Sequence, residues 1–148
     1  MKIIKQEWDG GCGLACIAMI CDTTFKNVTK KIKNLRNKTG NSTSIKDFET
    51  LLPHYGIECE RIKFNSWEKL KGVYIVGVNE YFKKNGKREG WHWVVVIRNH
   101  SKFLILDPDD EECINWGDSR VEEKEGYIAR KNCDIIKVNM RVPNSIKI

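Results

Sequence analysis

Long apolar runs are missing from this sequence, and none approaches the roughly 20 consecutive apolar residues that a membrane-spanning helix needs. The opening residues, Met1 to Gly11, hold no segment of signal-peptide character, because Trp8-Asp9-Gly10-Gly11 interrupts the start at once. The expectation is a chain that works in the cytoplasm or is delivered as part of a larger secreted protein. Proline is scarce, with three scattered residues, and no repeat, low-complexity tract or Pro/Gly-rich linker divides the chain. A sequence of 148 residues without a linker reads as a single domain, 1–148. There is no C-x-x-C and no closely spaced histidine pair, so neither a zinc site nor any other cofactor is expected.

Charge of one sign is in modest excess. The net charge of +6 resides largely in Lys26, Lys30, Lys31, Lys33, Arg36 and Lys38, with a second patch at Lys83, Lys84, Lys87 and Arg88. Nucleic-acid binding would want aromatic side chains interleaved with these for base stacking. The first patch has only Phe25 at its edge, so both read as solvated surface. Asp109, Asp110, Glu111 and Glu112 form an acidic cluster that reads as a solvated loop, or as a rim facing a basic peptide.

Cysteine is plentiful: Cys12, Cys16, Cys21, Cys59, Cys113 and Cys133. Three of them crowd into Cys12–Cys21, which is small and apolar nearly all round, as a helix buried through a domain is. Cys12 and Cys16 would be i and i+4 there, a geometry that orients thiols poorly for bridging. A second helix is expected over Phe25 to about Arg36, with apolar residues at Phe25, Val28, Ile32 and Leu35. Ser44 can cap a third, Ile45 to about His54, with Asp47 near its N-terminus. The period then changes to that of strands: Ile57–Phe64, Val73–Val78, Trp91–Arg98, Lys102–Asp107 and Asp134–Met140. Helices first and an antiparallel sheet after them make an α+β protein.

Four residues carry a possible chemistry. Cys12 opens the buried helix, where backbone N–H groups and the positive end of the dipole favour thiolate over thiol. A histidine can take the thiol proton and return it to a leaving amine, and His92 heads a strand. The histidine's other nitrogen needs a fixed partner, which Asp107, at the tail of the next strand, can be. The backbone N–H of Cys12 and an amide such as Gln6 could stabilise an oxyanion. Strand register decides whether the trio can meet. With a two- or four-residue turn centred on His100-Ser101, Asn99 faces Lys102, Val94 faces Asp107, and His92 shares the face of Asp107 one diagonal step away. A three-residue turn would put Asp107 on the other face. Trp91 and Trp93 would lie opposite His92, as core or as one wall of a substrate cleft.

The segment Gln6-Glu7-Trp8-Asp9-Gly10-Gly11-Cys12-Gly13-Leu14-Ala15-Cys16 resembles the active-site segment of the C39 peptidases. Those are papain-like bacterial enzymes that process bacteriocin and peptide-pheromone leaders, usually at the N-terminus of an ABC transporter. His92-Trp93-Val94-Val95-Val96 and Asp107-Pro108 match the later motifs of that family, and Thr43-Ser44-Ile45 falls where its third helix starts. The residue before the cysteine, commonly Asp in the family, is Gly11 here. The resemblance implies a papain-like fold, Cys12 as nucleophile, His92 as base, Asp107 as its orienter and Gln6 in the oxyanion hole. It also implies a peptide or protein substrate, with an ABC transporter, a secretion system or an inhibitor protein as partner. Alternatives on the same fold are a toxin or effector performing deamidation, transamidation or other acyl transfer, and a peptide-binding domain without catalysis.

Overall fold

The computed structural model describes residues 1–8, 10–36, 42–82, 84–86, 88–109, 113–115 and 127–146. Lys38, Lys83 and Lys87 of the basic patches and Asp110, Glu111 and Glu112 of the acidic cluster lie outside the described residues. Three helices come first: α1 (Cys12–Ile20), α2 (Phe25–Arg36) and α3 (Ile45–His54). Every residue of α1 is buried, as its apolar composition requires. Helix α3 starts with a capping box, in which Asp47 N–H donates to Ser44 Oγ and Ser44 N–H donates to Asp47 Oδ2.

Six strands follow: β1 (Cys59–Lys63), β2 (Gly72–Phe82), β3 (Arg88–Arg98), β4 (Phe103–Leu106), β5 (Cys113–Asn115) and β6 (Asp134–Val138). They form one antiparallel sheet in the order β1-β6-β2-β3-β4-β5. The α+β reading, helices packed on an antiparallel sheet, therefore holds. Two boundaries differ from expectation. Strands β2 and β3 run past the predicted ends into the 80–90 region, and short β5 was not foreseen because three residues give too little alternation to read. Strand β2 takes the extra length through a bulge after Val78, where Asn79 adopts a left-handed φ of 55°.

Alternation on the central strands feeds two cores. Val73, Ile75, Trp93, Val95 and Ile97 face the helices, together with Leu14, Ile17, Phe48 and Leu51. Tyr74, Val76, Val94, Val96, Phe103 and Ile105 face the other way, where Trp67 and Tyr127 cover them. Helix α1 is pressed closely against the segment before α3. A Cβ built on Gly13 would lie 2.4 Å from the Cβ of Thr43, so only glycine fits there. Gly13→Ala should destabilise the protein by about 1–3 kcal/mol in urea denaturation, the usual cost of overpacking. Thr43→Gly should restore part of that loss when added to Gly13→Ala, because the two side chains compete for one volume.

Candidate active site

The turn that decides the register has the predicted form. Arg98 pairs with Phe103 and Val95 with Leu106, and Asn99 N–H donates to Lys102 O at 3.0 Å. Asn99 Oδ1 accepts from the N–H groups of Ser101 and Lys102, both at 2.9 Å, holding the loop at two residues. His92 and Asp107 accordingly share a face, and His92 Nε2 lies 2.7 Å from Asp107 Oδ1. The expected pairing is present.

Cys12 reaches them from the helix side. Among the described residues no strand pairs with this edge of β3 beyond Leu106, and the Trp93 N–H donates to Cys12 Sγ at 3.4 Å. The sheet edge is where a helix-borne cysteine and a histidine on the opposite face can meet. Cys12 is near enough to His92 to strengthen the hold of the imidazole on its proton. With Nε2 held by Asp107, Nδ1 is the ring nitrogen left for another partner. The N-cap residue Gly11 makes no side-chain cap for α1, so it leaves the first-turn N–H groups unsatisfied by a cap of its own. Gly11 precedes the cysteine because space there is taken: a Cβ would meet the Phe25 ring at 2.8 Å and the Trp8 carbonyl at 3.0 Å.

Electrostatics follow from this packing. Burial alone would disfavour the imidazolium, but the hydrogen bonds and charges of Asp107 and Cys12 outweigh it and raise His92 from 6.5 to about 10. Burial likewise opposes ionisation of Asp107, yet donors from His92, Tyr127 and the Asp109 N–H hold its carboxyl below its ordinary value. Cys16, one turn beyond Cys12 and fully buried, is pushed well up by desolvation and by the charges of Cys12 and Asp107. Burial pushes Cys21 up to about 12. Those two thiols stay protonated and inert. Among the described residues His92, Asp107 and Asp109 are grouped closely enough to offer three ligand atoms to a cation, but the hydrogen bonds already named account for the His92–Asp107 contact.

Gln6 is placed beside this group in a particular way. Its backbone N–H donates to Pro108 O at 3.1 Å, which ties the N-terminal segment to the end of β4. Its side-chain Nε2 donates to Trp8 O at 3.1 Å, while Oε1 is buried with no partner among the described residues. Sequence reasoning missed Tyr127, whose hydroxyl donates to Asp107 Oδ2 at 2.7 Å. A tyrosine in irregular chain carries no periodic or spacing signal that could have marked it. His54 closes α3, and His100 sits in the β3–β4 turn.

A cavity of about 190 Å³ opens between Ser44 and Ile45 of the α3 N-terminus and Trp91 and Trp93 of β3; its link to the group is Trp93, whose N–H donates to Cys12 Sγ. The two indoles pack edge to face at 5.6 Å on the face opposite His92, as alternation predicted. Trp93 is fixed by its Nε1–H, which donates to Thr43 O at 2.9 Å. Gly77 lets the Trp91 indole come close, since a Cβ there would lie 2.7 Å from it.

No curated protein matches the chain. Among solved structures, it is similar to the crystal structure of the peptidase domain of Streptococcus ComA, described as a bi-functional ABC transporter involved in a quorum-sensing pathway. That likeness has a TM-score of 0.60 at 18% identity and covers 93% of this chain and 96% of the other. It shows the fold. A profile of the peptidase C39 family matches residues 1–124, and by that match the chain belongs to the C39 family of cysteine peptidases.

Proposed function

We propose that Cys12, His92, Asp107 and Gln6 form the catalytic group of this peptidase. The observation that carries the reading is the His92–Asp107 pair at 2.7 Å, presented at the sheet edge where Cys12 opens an uncapped helix. His92 Nδ1 holds the proton of Cys12 Sγ, and the thiolate attacks the substrate carbonyl carbon. The oxyanion takes hydrogen bonds from the Cys12 N–H and from Gln6 Nε2. That nitrogen carries two N–H groups, of which Trp8 O accepts one. Collapse of the tetrahedral adduct breaks the C–N bond, and His92 gives its proton to the departing amine. Water then hydrolyses the thioester with His92 as base, releasing the acid and restoring the thiol.

The substrate class follows from the family: a leader segment of a secreted peptide, cut after small residues, with an ABC transporter as partner. The cavity walled by Trp91 and Trp93 would seat an apolar side chain of that segment, because Trp93 is shared between it and the cysteine. Residues 1–148 act as one catalytic domain. Support comes from β6, which lies beyond the family match and yet stands inside the sheet between β1 and β2.

Cys12→Ala should abolish cleavage of a leader peptide, read by mass spectrometry as two fragments. A mass gain of about one unit without fragments would instead mark deamidation and overturn hydrolysis as the reaction. Trp91→Ala should raise KM several-fold with kcat little changed. The His92 pair also makes stability depend on pH. Its folded value lies above 6.5, so its contribution is complete below about pH 6.5 and fades as pH rises toward about 10. Asp107 is depressed, so its contribution holds above the ordinary 3.8 and is lost as pH falls through the lower folded value. The difference in urea stability between wild type and His92→Ala should be largest between about pH 4 and 6.5 and should shrink toward pH 10. A difference that grows over that upper range would contradict the paired imidazolium.

A further inference from the structure

Residues 127–130, Tyr-Ile-Ala-Arg, follow the end of the family match and belong to no helix or strand. Their burial is inverted relative to a simple surface loop: Tyr127 is 8% exposed and Ile128 is 62% exposed. Something holds the tyrosine inward at the expense of an isoleucine left in water. The β2 bulge does so. Asn79 N–H donates to Ile128 O at 2.8 Å, and Asn79 Oδ1 accepts from Ile128 N–H at 2.9 Å. Arg130 Nε lies 3.2 Å from Glu80 Oε1. The left-handed φ of Asn79 turns its backbone and its side chain toward the same short segment. Val78, the residue before this bulge, is the strand partner of His92. One irregularity of β2 therefore fixes both the strap and the strand position opposite the histidine.

The strap places the Tyr127 hydroxyl 2.7 Å from Asp107 Oδ2. The other oxygen, Oδ1, accepts from His92 Nε2 at 2.7 Å and from the Asp109 N–H at 2.9 Å. The terminal torsion of an aspartate is broad and only weakly preferred by itself. Donors on one oxygen leave the carboxylate able to swing about that oxygen. A short charge-assisted bond to the second oxygen fixes its plane. We propose that Tyr127 is a positioning residue of this peptidase, holding the Asp107 carboxylate in the plane that orients His92 toward Cys12. The inference rests on the catalytic reading above and adds to it a group from outside the family match.

The test reads the chemistry of Cys12 without needing a substrate: the rate of iodoacetamide alkylation at neutral pH, mapped to Cys12 by mass spectrometry. Wild type, His92→Ala, Tyr127→Phe, Asp107→Ala and the Tyr127→Phe/Asp107→Ala double variant are compared, with thermal unfolding as the control for packing. Tyr127→Phe keeps the ring and removes only the hydroxyl. It should slow alkylation about tenfold, the size expected for one hydrogen bond to a charged group, and lower the unfolding midpoint by several degrees while leaving the protein folded at the assay temperature. In the Asp107→Ala background it should change nothing further, because its effect passes through that carboxylate. Wild-type alkylation in Tyr127→Phe, or an undiminished tenfold loss in the double variant, would overturn the proposal while leaving the Cys12–His92 reading intact. Alkylation of His92→Ala as fast as wild type would sink the catalytic reading and this inference with it. Should Asp107→Ala fail to fold, exchange of the His92 Nε2 proton with water, followed by NMR, replaces the cycle. Faster exchange in Tyr127→Phe supports the positioning role, and unchanged exchange refutes it.

Discussion

Asn99 governs the geometry on which the rest of the site depends. Its side-chain oxygen takes the N–H groups of Ser101 and Lys102, which holds the β3–β4 loop at two residues. That length sets the parity of the hairpin. Because side chains alternate with a period of two, parity decides whether Asp107 emerges on the face of His92 or on the opposite one. One residue more in the loop would leave the same amino acids in the chain and no pair between them. The 2.7 Å contact joins residues fifteen apart in sequence and is a consequence of the turn between them.

The early end of β4 has a second consequence. It leaves the Trp93 N–H without a ladder partner among the described residues, and Cys12 Sγ accepts from that group. A cysteine belonging to the helix-side core and a histidine belonging to the other face meet only because the sheet stops there. The meeting also separates the fates of neighbouring thiols. Cys12 strengthens the hold of His92 on its proton, whereas Cys16, one turn deeper, has burial and two nearby negative charges acting against ionisation. Identical side chains four residues apart differ in environment by what lies opposite them.

Around this edge the protein places constraints that oppose desolvation. His92 and Asp107 are both penalised by burial, and each is kept charged by the hydrogen bonds it shares. A buried pair of this kind is tolerable only if its remaining lone pairs are satisfied. The Asp109 N–H and the Tyr127 hydroxyl meet that requirement for Asp107. On the helix side the packing is equally close: a side chain at Gly11 would meet Phe25 and Trp8, and one at Gly13 would meet Thr43.

The sequence by itself determined most of the elements and the pairing of His92 with Asp107. Helical periodicity placed α2 and α3 at their observed bounds, the Ser44–Asp47 spacing marked a cap that forms, and alternation around His92 predicted which face each tryptophan would take. These are local properties, set by backbone sterics and hydrogen bonding within a few residues. Even the hairpin register was legible, since a turn couples neighbours in the chain. Tertiary structure alone decided the remainder. It bent β2 at Asn79, let β2 and β3 run on past their predicted ends, turned the Gln6 amide onto Trp8, and carried Tyr127 twenty residues along the chain to Asp107. Those outcomes depend on which surfaces compete for the same buried volume and the same donors. That competition exists only when segments distant in sequence are packed together, so no spacing rule within one segment could register it.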